Sequence, residues 1–415
     1  MTPAARIQAV IDILGDLAKT NQPVDRHLRD WGRSHRFAGS KDRAAIAERI
    51  FAIQRRRGFL QWVTGSAEPR WLVLASLVWG NVPAADVEAL FSGGGYGPAA
   101  LTDTERAFLR AKMPGVPPLH VSGEYPEFLE PELKRAFGDL LIPEMAMLQT
   151  RAPADLRANT VKTSRDDVLD TLRAEGYDAQ PTPFSPIGIR LPEGEAKLGR
   201  GGLFLSGAFE FQDEAAQVAA LLCGVKPGMR VLDLAAGAGG KSLALAALMQ
   251  NKGKIVATDV RVAALHELER RAERAGATII DTHPPDDVFD VVLLDAPCSG
   301  TGTWRRQPEL RWRLTPERIE ELKATQDALL KQAAIYVKPG GRLVYATCSI
   351  LPSENEDRVA AFLESHADFA VVPAADVWRE SIPAAPPPNL AQFFRATPHA
   401  TQTDGFFTAI LARNA

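Results

Sequence analysis

The chain reads as an α/β protein: a mainly parallel sheet covered on both faces occupies its C-terminal half, preceded by a small α/β module and a helical N-terminal domain. Three observations lead there. Apolar runs at 230–235, 254–259, 278–280 and 291–295 alternate with helical stretches, and near-continuous apolar runs suit strands buried on both faces. Each run ends in a Gly-rich turn or an acid, and ligands of open α/β sheets collect at the carboxyl ends of the strands. Before residue 120 the apolar residues keep helical spacing instead.

With 415 residues and 46% hydrophobic content the chain exceeds one ordinary core. The division predicted is 1–120 helical domain and linker, 121–210 small α/β module, 211–415 sheet domain. Three cysteines with no CxxC or Cys/His spacing argue for a reducing compartment and against a structural zinc site. No metal is expected. MTPAARIQAV lacks the core of a signal peptide and no run approaches a membrane helix, so a cytoplasmic protein with no membrane partner is expected. A net charge of −3 leaves any nucleic-acid partner to a local basic surface.

Ile7, Val10, Ile11, Leu14 and Leu17, then Ile46, Ile50 and Ile53, predict helices of a bundle in the first ninety residues. Its polar side carries Arg26, Arg29, Arg33, Arg36, Lys41, Arg43, Arg49 and Arg55 to Arg57, either a phosphate-binding face or a solvated surface. SGGGYGP at 92–98 and Pro114, Pro117 and Pro118 mark a linker. In the module that follows, LRANTVKTS starts a strand at 155, Ser164 caps a helix over 167–175 and Gly176 ends it. Arg157, Asn159 and Lys162 on this strand are candidate contacts for a phosphate backbone.

After FQDEAAQ at 211–217 the strand–helix alternation becomes regular. The strand at 230–235 enters AAGAGGK (Ala235, Ala236, Gly237, Ala238, Gly239, Gly240, Lys241), whose glycines let the backbone approach a ligand while the following helix offers unpaired amides. Asp259 ends the next strand about 20 residues on, where a ribose-binding acid belongs; its alternative role is a cap for the helix starting at Val262. Asp281 and Asp295 end two further strands. Cys298 follows Asp295 by three residues, and Cys348 ends the strand GRLVYATCS at 341–349. A free cysteine is commonly a small buried hydrophobe, yet two at equivalent strand ends, one beside an Asp, point to chemistry. Hydride transfer, the other use of such a Gly turn, has no need of two thiols.

Arg305, Arg306, Arg311 and Arg313 with Trp304 and Trp312 form one loop whose composition suits an unstacked base and its phosphates, or simply solvent. The helix at 316–337 packs on the sheet through Ile319, Leu322, Leu329, Ala333 and Val337. In LPSENEDRVAAFL, Ser353 and Glu356 read as a capping box. The tail TDGFFTAILAR reads as a final strand, an antiparallel hairpin-like edge beside the Cys348 strand.

DAPCSGTG at 295–302, YATCS at 345–349, GGK at 239–241 and SENE at 353–356 resemble the RsmB / NOL1 / NOP2 / Sun family of RNA cytosine-5 methyltransferases. FQDEAAQ and RANTVKTS are similar to its small RNA-binding module, and the helical N-terminus to the NusB-like domain of its bacterial ribosomal RNA members. The resemblance implies a Rossmann-like methyltransferase domain. It implies Cys348 as nucleophile, Cys298 assisting product release and Asp295 contacting the base. S-adenosylmethionine would be held by residues 235–241, Asp259, Asp281 and Asp295. One departure is visible: the family usually has Cys and Pro in its Gly loop, where this chain has Ala235 and Ala238.

Carbon 5 of cytosine is a poor nucleophile until a thiolate adds to carbon 6, and a thiol needs an electropositive setting to ionise at neutral pH. Lys241 and the cationic donor would supply part of it. A protonated Asp295 hydrogen-bonded to N3 would stabilise the charged ring, and Cys298 or a water it positions would take the carbon 5 proton. The base must be unstacked, so the partner expected is RNA in a loop or an assembly intermediate, met by a monomer. The favoured substrate is small-subunit (16S) ribosomal RNA. Transfer RNA, a DNA-type enzyme with Cys298 as nucleophile, and a catalytically inactive RNA-binding ribosome-assembly factor are the alternatives.

Overall fold

The computed structural model describes residues 1–20, 22–191, 196–388 and 390–415, with the side chains of 196 and 197 left out. It divides into two compact units, each drawn from separate stretches of chain: 1–131, 139–149 and 304–313 in the first, 132–138, 150–303 and 314–415 in the second.

The first unit is helical. Pro3–Leu17 begins with Thr2 as N-cap and Pro3 at its first position, a combination that satisfies one orphan amide and needs no other. Its buried Ile7, Val10, Ile13 and Leu14 meet Ile46, Ile50 and Ile53 of Ser40–Arg55 and Val73 and Leu74 of Pro69–Val78 in one core. That core also takes in Leu101 and Val121. The Gly- and Pro-rich stretch read as a linker is therefore a set of turns inside this unit, because apolar residues beyond it still pack on the bundle. Arg26, Arg29, Arg33, Arg36, Lys41, Arg43 and Arg56 are exposed.

The second unit holds two sheets. The smaller has the order β2-β3-β1-β4, from β1 (Ala154–Ala158), β2 (Gln180–Pro181), β3 (Gly188–Leu191) and β4 (Phe209–Phe211). Between β1 and β2, Ser164 and Asp167 form a capping box at the head of Arg165–Ala174, and Gly176 leaves that helix at φ +88°, both as the sequence predicts.

The larger sheet contains β5 (Arg230–Asp233), β6 (Lys254–Ala257), β7 (Ile280–Asp281), β8 (Phe289–Asp295), β9 (Val337–Thr347), β10 (Phe369–Val372) and β12 (Phe406–Arg413) in the order β10-β12-β9-β8-β5-β6-β7, with β11 (Phe394–Ala396) paired to β12. β5 to β9 pair in parallel, and β12 runs antiparallel to β9. Apolar layers lie on both faces: Val231, Ile255 and Leu293 pack on one side, Leu232, Val256 and Leu294 on the other. This is a Rossmann-like α/β architecture. The final strand is antiparallel as predicted, but β10 covers its far side and makes it an interior strand, not an edge. Its unbroken apolar run, FFTAIL, suits that position.

Candidate active site

The candidate site lies in the second unit. Parallel pairing of β8 with β9 sets Asp295 opposite Ala346, so both strands end at the same level. The turns beyond them bring the thiols together: Cys298 Sγ lies 3.4 Å from Cys348 Sγ, and both residues are half-buried. One strand further along, β5 delivers the loop 235–238, which is half-exposed between the buried Asp233 and the buried head of Gly240–Leu248.

Lys241, on the first turn of that helix, donates to Asp295 Oδ2 at 2.6 Å and has its ammonium 5.0 Å from the centre of the Phe406 ring. Burial opposes its charge, but Asp295 outweighs burial and holds the ammonium above its ordinary range. The carboxylate predicted to act as a neutral acid is thus one half of an ion pair, a correction that follows from an ammonium within hydrogen-bonding distance. Cys298 has its thiol pushed well up, first by its bond with Cys348, then by burial and by the Glu354 charge.

The Gly loop is tied to the neighbouring strand. Asp259 Oδ2 accepts from Gly237 N at 2.9 Å, and its Oδ1 accepts from Arg261 N at 2.8 Å. The helix Val262–Ala275 has Arg261 as N-cap with no side-chain bond, so Asp259 shapes the loop and does not cap that helix. Gly239 sits at φ +79°, and a Cβ there would come within 2.5 Å of Leu268, so only glycine fits. Beneath the loop, Asp233 accepts from Ser242 Oγ at 2.6 Å, and burial pushes its carboxyl up to about 7. A loop of alanine and glycine bordered by a carboxylate, at the head of a helix, fits a ligand with ribose hydroxyls and a charged tail.

Three turns close the cysteine side by backbone contact. Gly302 N donates to the Cys348 carbonyl, and Gly405 N donates to the Gly302 carbonyl, each at 2.9 Å. Asp404 N in turn donates to Asp213 Oδ2 at 3.0 Å, linking the motif FQDEAAQ to the same turn.

A model of the 16S rRNA methyltransferase RsmB/F matches residues 220–412, and one of the ferredoxin-like domain of RsmF/B-like methyltransferases matches residues 125–196. Ribosomal RNA small subunit methyltransferase B of Erwinia tasmaniensis is 30% identical over 425 residues, covering 92% of each chain. The probable ribosomal RNA small subunit methyltransferase B of Synechocystis is 33% identical over 301 residues, 70% of this chain and 67% of that one. The solved structure of PH0851 superposes over 99% of both chains with a TM-score of 0.79 at 28% identity. This chain belongs to the RsmB/F methyltransferase family.

Within this family member the structure groups Gly237, Lys241, Asp259, Asp295, Cys298 and Cys348 around the carboxyl ends of adjacent strands. With Ala235 and Ala238 in it, the Gly loop is held by backbone bonds from Ala236 N to the Thr258 carbonyl and Gly239 N to the Ala236 carbonyl, and by Arg271, which donates to the Ala238 carbonyl. Asp281 is the last residue of β7 and pairs opposite Val256 of the adjacent β6. Its carboxylate accepts from His283 N at 3.0 Å and from the His283 ring and is paired with Lys254 Nζ at 3.0 Å, which together hold it well below the usual carboxylate range.

Most residues read as RNA contacts have structural work instead. Arg157 is buried and donates to Gln212 Oε1 at 2.6 Å; Asn159 is buried and donates to the carbonyls of Gly207 and Ala275. Lys162 is exposed but donates to the carbonyls of Ser206 and Arg274, the latter in the last turn of a helix, where a cation is favoured. Arg305, Arg306 and Arg311 belong with Trp304 and Trp312 to the first unit. There Trp304, Arg305 and Arg311 are buried, Arg306 is half-buried, and Arg311 donates to the carbonyls of Glu124 and Leu148. Trp312 Nε1 donates to the Gln54 carbonyl. A loop of Arg and Trp reads alike whether it faces RNA or its own fold, and here the carbonyls claim the guanidinium.

The capping box predicted from Ser353 and Glu356 does not form. Ser353 and Glu354 lie in a 3-10 turn, Pro352–Glu354, and the helix starts after it at Glu356 with no side-chain cap. Asn355 accepts from Thr347 Oγ1 at 2.6 Å and donates to the Ser349 carbonyl, which braces the Cys348 turn. The signal was present: two carboxylates and an amide directly after a strand-end cysteine exceed what a cap needs.

Proposed function

We propose that this chain transfers a methyl group from S-adenosylmethionine to carbon 5 of a cytosine in small-subunit (16S) ribosomal RNA, through a covalent bond from Cys348 to carbon 6. The observation that carries this reading is the pair of thiols 3.4 Å apart at the ends of adjacent parallel strands, with Lys241 and Asp295 beside them. A structural thiol needs no second thiol and no buried cation; a nucleophile with an assistant uses both.

Residues 235–241, Asp259 and Asp295 would hold the donor, Asp259 at the ribose hydroxyls. When bound, the donor supplies an electrophilic methyl group on a sulfonium. Cys348 adds to carbon 6 as a thiolate and turns carbon 5 into the nucleophilic end of an enamine. Asp295, with one oxygen held by Lys241, offers the other to the exocyclic amine of the base. After carbon 5 has gained its methyl group, its proton passes to water and the carbon 6–sulfur bond breaks, the electron pair returning to Cys348. Cys298 assists that departure by hydrogen bonding to the leaving sulfur. The exposed arginines of the helical unit, not the 304–313 loop, would meet the RNA backbone.

Bisulfite sequencing of RNA from cells lacking this gene tests the assignment. Loss of a methylated cytosine in small-subunit ribosomal RNA, restored by the intact gene, is expected. An unchanged ribosomal pattern with a lost transfer-RNA mark would overturn the substrate and leave the chemistry.

A further inference from the structure

Glu354 is fully buried, five residues from the end of the active-site thiol turn. Its carboxylate accepts four bonds. Oε1 takes Ser299 N at 2.9 Å and Gln326 Nε2 at 3.0 Å; Oε2 takes the hydroxyls of Ser299 and Ser349, both at 2.5 Å. Ser299 directly follows Cys298, and Ser349 directly follows Cys348. One carboxylate therefore fastens the two cysteine turns to each other. Gln326 extends the hold by donating also to the Pro297 carbonyl at 2.9 Å, the residue before Cys298.

Its donors are neutral: among the described residues no Lys or Arg forms an ion pair with Glu354. Burying a carboxylate without a cation is costly even when hydrogen bonds satisfy it, and a serine, glutamine or asparagine there could link the turns without that cost. The charge itself thus calls for a role. The active-site cation lies elsewhere, on Lys241, whose field reaches Cys348. Glu354 acts on the other sulfur, and its charge adds to burial and to the neighbouring sulfur in disfavouring a Cys298 thiolate. The two thiols, 3.4 Å apart, are thereby made unequal.

We propose that Glu354 is a positioning residue for methyl transfer, fastening the two cysteine turns together and keeping Cys298 a neutral thiol that donates its hydrogen to the Cys348 sulfur. Two adjacent thiols in equal surroundings would compete for one negative charge. The Glu354 charge sets Cys298 against carrying it. The same S–H donor then meets the Cys348 sulfur as it leaves carbon 6. The inference rests on Cys348 as the nucleophile, but the alkylation arm of its test does not need RNA.

The test is the pH dependence of iodoacetamide alkylation at Cys298, read by peptide mass in full-length Cys348→Ser protein, with and without Glu354→Gln. The buried Cys223 serves as an unreactive reference. Glu354→Gln should lower the alkylation midpoint by one pH unit or more, a shift that a merely structural role would not produce in one direction. An unmoved or raised midpoint overturns the proposal. Glu354→Asp, in the protein with both cysteines, keeps the charge and shortens the reach; it should slow single-turnover methyl transfer at least tenfold while leaving the affinity for S-adenosylmethionine and the Cys298 midpoint unchanged. Full activity in Glu354→Asp would overturn the clamp even if Glu354→Gln failed to fold. If Cys348 were not the nucleophile, the alkylation shift would persist while the RNA adduct was absent, so the two readings fail separately.

Discussion

Gly302 offers the most sharply defined steric requirement in the site. It lies in the 3-10 turn Thr301–Thr303, and its φ is not in the left-handed region, so backbone conformation does not demand glycine there. Space does. A Cβ on Gly302 would stand 2.1 Å from the Gly405 carbonyl oxygen and 2.6 Å from its Cα, both backbone atoms that no side-chain rotation can remove. Ordinary contact begins near 3.4 Å, so in Gly302→Ala the turns must part by about 1.3 Å. The parting acts on two 2.9 Å bonds at once, Gly302 N to the Cys348 carbonyl and Gly405 N to the Gly302 carbonyl. Overpacking of this kind costs about 1–3 kcal/mol, which lowers the melting temperature by roughly 2–10 °C for a unit of this size. Because the turn carries the Cys348 carbonyl, methyl transfer should suffer more than stability, by about 10²-fold for a shift near 1 Å. Calorimetric melting and single-turnover methylation measure the two effects. Gly202→Ala, where the new methyl group meets open space, is the control and should change neither. A Gly302→Ala protein with unaltered melting and full activity would refute the close approach of these turns and the bracing role given to them.

Three further outcomes are expected. Asp259→Ala should weaken S-adenosylmethionine binding by about 1.5–3 kcal/mol, roughly 10- to 150-fold by titration calorimetry, while the fold survives; an unchanged dissociation constant with a lowered melting temperature would return Asp259 to a purely structural role. Arg311→Ala should destabilise the helical unit by about 2–5 kcal/mol in urea unfolding, since it orphans the buried carbonyls of Glu124 and Leu148, and should leave RNA affinity within about twofold; the reverse pattern would restore the RNA-contact reading. Glu124 accepts from Gly58 N and Phe59 N inside that unit, and burial raises its carboxyl from 4.5 to about 7. A raised folded-state value means stability that is fully present below the unfolded value and is lost as pH rises through the folded one. Chemical denaturation should therefore show the helical unit weakening between pH 4.5 and about 7, with the slope reduced in Glu124→Gln; a slope unchanged by that substitution would contradict the assignment.

The large sheet was legible because its signals are local and repeated: each apolar run ends where a ligand-facing turn must start, and the resulting strand ends place Lys241, Asp259, Asp295, Cys298 and Cys348 together. Ser164 and Gly176 were legible for the same reason, since a cap depends on residues three apart. What stayed hidden depends on partners distant in sequence. Nothing in the segment 304–313 reveals that Arg311 will find carbonyls at 124 and 148, and a strand bearing Arg157, with Asn159 just past its end, shows its polarity but not its burial. The interior place of β12 needs β10, a short strand with no strong pattern of its own. Glu354 stayed hidden because Ser353 and Glu356 around it imitate a helix start, while its partners at 299 and 326 come from distant stretches and the one at 349 from the turn five residues before it.

The central claim is that Cys348 forms the bond to the base and Cys298 helps to release it. Each cysteine is replaced in turn by alanine, and the protein is incubated with labelled substrate RNA and S-adenosylmethionine and run on a denaturing gel. Cys298→Ala should accumulate a slow-migrating protein–RNA adduct, because addition and methyl transfer proceed while release stalls; Cys348→Ala should give neither adduct nor methylated RNA. An adduct in Cys348→Ala and none in Cys298→Ala would exchange the two roles, and full activity in both variants would show that neither sulfur takes part.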